Sequence, residues 1–209
     1  MPFLSRSVFL PHAGKSDIVI ERLKVVGGAI ARAGGEPQLV RISHGHMAGH
    51  LALFGAYKDF ITAAAASVKI SNDAAYKRVA KLRDKNPAST MVLGPDVARV
   101  VYGALTYSAV GMVRTYQIDR RNLEKAIDIL GEVEKLSRKR AKGARVTGII
   151  PMIADNVDRL NVVYGFDSIK HMSEEVQWAL TSIEFQKLVM KAHTHGKLIS
   201  VRVQQRIDI

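Results

Sequence analysis

Apolar positions along this chain change period repeatedly, and each change marks an element. Phe3 to Leu10 (FLSRSVFL) suits a first strand, which we extend over Met1 to Pro11. Asp17 to Ala33 then returns apolar residues at helical spacing, with Ile18, Leu23, Val26, Ile30 and Ala33 on one side. Ser16 is the expected N-cap and Gly34-Gly35 the stop. Gln38 to Ser43 alternates like a strand, His44 to Gly49 is turn-like, and Leu51 to Ala56 is a third strand. Asp59 to Lys69 and Asp73 to Arg83 read as helices, the second ended by Asn86-Pro87, since Pro disfavours helix in the residue before it. Met91 to Tyr102 supplies a fourth strand, broken around Gly94-Pro95.

The same order then recurs. Gly111 to Ile118 is a strand and Asn122 to Ala141 a helix, with Leu123, Ile127, Leu130 and Val133 on its apolar face. Arg145 to Met152 and Leu160 to Gly165 are strands, Ser168 to Leu180 and Ile183 to Ala192 helices, and Leu198 to Ile207 the last strand. Leu51 to Lys81 lies over Leu160 to Met190 without a gap, at an offset of 109 (160 − 51). Tyr57 meets Phe166, Tyr76 meets Phe185 and Val79 meets Leu188, matches of apolar character more than of identity. A repeat this long exceeds a solenoid unit. The expected fold class is therefore α+β: two tandem ferredoxin-like βαββαβ units, 1–103 and 111–209, joined by a connector over 104–110. Helices cover one face of each antiparallel sheet. The other faces bury each other, in a dimeric-α/β-barrel-like arrangement within one chain.

Composition narrows the classes. The 209 residues include no cysteine, which removes disulfides, thiolate metal sites and cysteine nucleophiles and is compatible with a cytoplasmic protein. No apolar run is long enough to span a membrane as a helix, and the first residues lack the form of a secretory signal. The net charge of +12 points to an acidic protein partner, an anionic surface or nucleic acid. Six Lys/Arg and no acid fall in Lys135 to Arg145, either a solvated helix end or an anion-binding patch. Sheet modules that bind RNA need exposed aromatics on central strands. Here those strands offer Val, Ile and Leu, so nucleic acid is not the expected partner.

Several side chains could carry chemistry. Arg114 and Tyr116 are two apart on one strand and share a face, where they could hold a carboxylate or enolate-like oxygen; an edge salt bridge is the alternative. Asn161 interrupts an apolar strand, and a buried amide needs partners, in a cavity or between the sheets. His171 and Trp178 lie seven apart on one predicted helix (178 − 171) and face the same way, onto the sheet or into plain core. His44, His46 and His50 supply three nitrogens, weak candidates for a metal, but no acid accompanies them and they fall at a predicted turn. No metal and no cofactor are expected, with haem on a histidine as the alternative. There is no GxSxG, Walker loop or HExxH. Gly27-Gly28 follows no strand and is read as a site of close helix packing.

The order of elements resembles the dimeric α+β barrel superfamily in fused form. The second half is similar to NIPSNAP proteins: Arg114-Thr115-Tyr116 matches an Arg-Thr-Tyr-like run on the opening strand. Leu160-Asn161, followed by Tyr164 and Phe166, matches a Leu-Asn pair before an aromatic. Trp178 comes later on its helix than the family's Trp, and the first half has Ser5-Arg6-Ser7 and Ala52 at the corresponding positions. The resemblance implies a cavity between sheet and helices. It would bind a small apolar or aromatic ligand through Asn161, Arg114, Tyr116, His171 and Trp178, in a cofactor-free oxygenase or isomerase. The competing expectation is a non-catalytic basic subunit, a homo-oligomer or part of a larger assembly.

Overall fold

The computed structural model describes residues 2–105, 107–140 and 142–209. Met1 of the expected first strand, Thr106 of the expected connector and Ala141 of the basic run lie outside the described residues. The described elements are β1 (Phe3–Pro11), α1 (Ser16–Arg32), β2 (Glu36–Gly45), β3 (Leu51–Tyr57), α2 (Phe60–Asn72), α3 (Ala74–Lys85) and β4 (Ser89–Tyr102). They continue with β5 (Val110–Ile118), α4 (Leu123–Arg138), β6 (Arg145–Ile153), β7 (Arg159–Phe166), α5 (Ile169–Thr181), α6 (Ile183–His193) and β8 (Gly196–Ile207). A turn of 3₁₀ helix, Arg120–Asn122, leads into α4. α5 begins 109 residues after α2 (169 − 60).

The eight strands close into one antiparallel barrel in the order β1-β3-β2-β8-β5-β7-β6-β4. Within each half the strands run 4-1-3-2, the ferredoxin-like order. Two seams join the halves. β2 pairs with β8 from Leu39↔Ile207 to Gly45↔Arg202, and β4 pairs with β6 from Val97↔Ile153 to Tyr102↔Gly148. Closure leaves no free sheet edge. The α+β class and the barrel expected from the sequence are thus what forms, with hydrogen-bonded seams rather than two sheets merely stacked.

Strand alternation sorts the side chains into two environments. Outward-facing Leu39, Leu51 and Leu53 meet Val19, Leu23 and Ile30 of α1. Outward-facing Val162, Tyr164 and Phe166 meet Ile129, Leu130 and Val133 of α4. Leu39, Leu51, Val162 and Phe166 are each at most 1% exposed, and burying each such side chain stabilises the fold by roughly 1.5–3 kcal/mol. Inward-facing residues form the lumen, in which Leu4, Ala56 and Val100 make one apolar cluster and Val8, Val40 and Ala52 another.

Local chemistry sets the helix ends. Asp59 caps α2 by accepting from Thr62 N–H, and Asp73 caps α3 by accepting from Ala75 and Tyr76 N–H. Ser168 and Ser182 do the same for α5 and α6. α1 departs from expectation. Ser16 is its first helical residue, and Lys15 stands at the cap without a side-chain bond. Val19, not Ile18, turns inward, leaving Ile18 exposed. Gly27 is where α1 is approached closely, since a Cβ there would lie 3.1 Å from Cγ2 of Ile209. The interruption expected at Gly94-Pro95 is absorbed in a continuous β4 whose pairing with β1 shifts register.

Candidate functional site

On β5, Met112, Arg114 and Tyr116 face the helices while Gly111, Val113 and Thr115 face the lumen. On β7, Leu160, Val162 and Tyr164 face the helices while Asn161 and Val163 face the lumen. Arg114 and Asn161 are therefore on opposite faces of one sheet. This corrects the expectation of a single five-residue site, because neighbouring paired strands keep the same alternation across the sheet.

The cavity between this sheet and α4, α5 and α6 has a volume of about 200 Å³. Arg114, Tyr164, Phe185 and Trp178 are among its walls, and Glu175 reaches it from α5. A smaller adjoining cavity of about 40 Å³ shares Arg114 and Tyr164 and adds Tyr116 and His195. Arg114 Nε is buried without a hydrogen-bond partner, and its guanidinium carbon lies 5.8 Å from the Tyr164 ring centroid. Burial pushes the Tyr164 phenol well above its ordinary range, nearby Tyr116 adds to the rise, and Arg114 opposes it. The Tyr164 hydroxyl is thus a neutral phenol with a proton available to donate. The Trp178 ring packs 5.7 Å from Phe185 and carries the Arg140 guanidinium 4.8 Å above it. Arg140 Nε in turn donates to Glu175 at 2.6 Å.

His171 does not reach the cavity. Its Nδ1 accepts from Asp167 N–H at 3.2 Å, its Nε2 is hydrogen-bonded to Lys142 O, and its ring meets Phe166 edge-on at 5.4 Å. It clasps the loop after α4 to the start of α5, so the expectation that it lines the site with Trp178 is corrected. Tyr164 and Glu175 line the site although the sequence pattern does not single them out for it. The two-residue spacing from Val162 to Tyr164 held the signal for Tyr164, since it shares a face with Leu160 opposite Tyr116.

Asn161 lines the lumen, where its Oδ1 accepts from Thr115 Oγ1 at 2.9 Å. The lumen cavity, about 100 Å³, is also lined by Arg6, Asp96, Gln204 and Arg202. Arg6 and Asp96 form an ion pair. Burial, with Arg6 nearby, pushes the Arg202 guanidinium down to about 10.

The histidines of the β2–β3 connection are not gathered into a metal site. His44 and His46 are exposed, His44 Nδ1 lies 3.0 Å from Ser43 Oγ, and His50 Nδ1 lies 3.4 Å from Ala48 O. Among the described residues no group of three His, Cys, Asp or Glu could hold a metal ion. His171 does not fit as a haem ligand, since both its nitrogens are engaged. The roughly 200 Å³ of the larger cavity also falls short of even the ~300–1,000 Å³ common for drug-sized ligands. In the basic run, Arg138 pairs with Glu134, Arg140 with Glu175 and Arg145 with Asp167, so half of its six cations already have a carboxylate within the chain. Among the described residues no helix is long and apolar enough to cross a membrane.

No family model matches the sequence, and no curated protein matches it either. Solved structures do. An anthrone oxidase-like protein superposes with a TM-score of 0.67 at 11% identity, covering 99% of this chain and 92% of its own. A protein provisionally named a chlorite dismutase gives 0.63 at 10%, covering 99% and 95%. A provisionally named monooxygenase from Fusobacterium nucleatum gives 0.62 at 9%, covering 99% and 93%. At these identities the likeness concerns the fold: a ferredoxin-like α+β barrel of the dimeric type, completed within one chain.

Proposed function

We propose that this protein binds a small aromatic or apolar molecule with an acidic oxygen between the β5–β7 sheet and α4, α5 and α6. The observation that supports it is the buried, unpartnered Nε of Arg114 on the wall of the larger cavity. A buried donor left unsatisfied costs ~1–3 kcal/mol, a cost that an anionic oxygen would relieve. Tyr164 would donate beside it, and Trp178 and Phe185 would flank the ring. A cavity of ~150 Å³ holds a benzene-sized molecule, so about 200 Å³ suits one substituted ring. Cofactor-free oxygenation and enol isomerisation both begin from an enolate or phenolate, the species this cation favours. The names of the structural neighbours support that reaction class without transferring it. Kinship of residues 111–209 with NIPSNAP proteins, two units divided near 104–110, and a cytoplasmic location belong to the same proposal.

4-Nitrophenol tests it. Binding should quench Trp178, the one tryptophan in the chain. It should also enhance the phenolate absorption band at a pH where the free phenol is largely protonated. Arg114→Met should weaken binding at least tenfold and abolish the enhancement. Quenching with no phenolate gain, or an unchanged Arg114→Met variant, would refute the reading.

The alternative, a non-catalytic basic subunit with an acidic protein partner or a second copy, is supported by exposed apolar side chains. Ile61 on α2 is 80% exposed, and Ile183 and Met190 on α6 are 73% and 72% exposed. Native mass spectrometry would show a dimer or heteromer, dispersed by Ile61→Glu or Ile183→Glu, if that reading holds. A monomer at every concentration and with every co-purified fraction would sink it.

A further inference from the structure

At one rim of the barrel, away from the sheet–helix cavity, three arginines border a cavity of about 160 Å³: Arg99 of β4, Arg120 of the 3₁₀ turn and Arg159 of β7. Its remaining walls are mostly apolar and include Ile118, Leu123 and Ile150. Two of its guanidinium nitrogens, Arg99 Nε and Arg159 Nη1, are buried with no hydrogen-bond partner. The nearby carboxylates are already committed. Asp158 lies 3.5 Å from Arg159 Nε and accepts from Gln117 Nε2 at 2.8 Å, while Asp119 pairs with Arg121. Among the described residues neither Arg99 nor Arg120 has an ion pair. Most buried donors are satisfied, so two unpartnered guanidinium nitrogens on residues that line one cavity leave donor capacity there for an acceptor from outside the chain.

We infer that this rim is a binding site for a small amphipathic organic anion. Its carboxylate or phosphate would be held between Arg99 and Arg159, and its apolar body would lie against Ile118, Leu123 and Ile150. Guanidinium groups match the planar geometry of a carboxylate, which explains three arginines here and no lysine. The volume is close to that of an apolar cavity that accepts one benzene. The site stands apart from the Arg114 cavity: the two share no lining residue except Ile118, which borders the smaller of the sheet–helix cavities.

Benzoate is the probe, titrated calorimetrically into the Arg114→Met variant so that heat from the sheet–helix cavity is removed. The expected result is saturable binding of one benzoate per chain. Benzyl alcohol, which keeps the ring and loses the charge, should bind at least tenfold more weakly. Arg99→Met and Arg159→Met should each lower benzoate affinity at least tenfold. Neither should lower the melting temperature by more than ~2 °C, since each removes an unpartnered buried nitrogen and Arg159 gives up only a partly exposed pair with Asp158. Equal affinity for benzyl alcohol, affinity in both variants within threefold of the parent, or no benzoate heat at all would overturn the assignment. So would a fall in melting temperature in both variants, which would make the arginines structural. Failure of the nitrophenol test leaves these readouts unaffected, because Trp178 does not line the rim cavity.

Discussion

Replacing Arg140 by Met should destabilise the protein far more than its surface position suggests. The Glu175 side chain is 8% exposed and that of Arg140 is 32% exposed, with 2.6 Å between Nε and Oε1. Removing one partner of a fully buried pair costs ~3–5 kcal/mol, because the other charge is stranded. Since water already reaches a third of Arg140, about 2–3 kcal/mol is the fitting share. Losing the guanidinium above Trp178 adds about 1 kcal/mol. The total, ~3–4 kcal/mol, corresponds to a fall in Tm of roughly 6–16 °C for a chain of this size. The reciprocal change, Glu175→Leu, should cost about 1 kcal/mol, since Arg140 can turn to solvent. The double variant should recover most of the loss, because no buried carboxylate is left stranded. Urea unfolding followed by circular dichroism and by Trp178 emission would measure all four corners of this cycle. An Arg140→Met variant that melts within ~2 °C of the parent, or a double variant less stable than Arg140→Met alone, would refute the reasoning.

Three further outcomes are expected. Phe166→Ala should cost ~3–5 kcal/mol in urea unfolding, because Phe166 is 1% exposed between β7 and α4 and supports His171. Gly45→Ala should loosen the β2–β8 seam: φ is +78° and a Cβ would sit 2.2 Å from Val201 O, so amide exchange along β8 should accelerate. The Tyr76 backbone N–H, with Arg32 alongside, holds the Asp73 carboxyl below the usual range. Its contribution is therefore complete above the ordinary aspartate value of about 3.9 and is lost as pH falls through the depressed one. The Tm deficit of Asp73→Asn relative to the parent should shrink as the pH is lowered below that value.

How far the sequence disclosed these features depends on the range of the forces involved. Strand periods and helical spacings are local, so the elements are readable within a few residues, whereas the cap expected at Ser16 is displaced to Lys15. On α1, Leu23, Ile30 and Ala33 are buried as their spacing predicts, while Val19 rather than Ile18 completes the face, because both are apolar and only the position of β2 and β3 decides between them. Which face of a strand meets helices is a tertiary matter. Two-residue spacing put Arg114 with Tyr116 but could not tell that Asn161 stands across the sheet from them. His171 and Trp178 shared a helical face, yet the Lys142 carbonyl captured one and Phe185 packed against the other. Orphaned nitrogens at Arg99 and Arg159 come from strands 60 residues apart (159 − 99), so no local pattern announces them.

The seam between β2 and β8 also sets a schedule for the ribosome. Gly45 closes β2 and Gly196 opens β8, a separation of 151 residues (196 − 45). At ~5–20 residues per second, β2 waits roughly 8–30 s after it is made before its partner strand exists. During that time its outer edge is an open template for any other extended chain. Glu36, Pro37 and Arg41 lie on that strand, two charges and a residue that cannot donate to a ladder. Of these, Arg41 sits on the stretch that β8 later covers, opposite Gln205, and places a charge on that waiting edge.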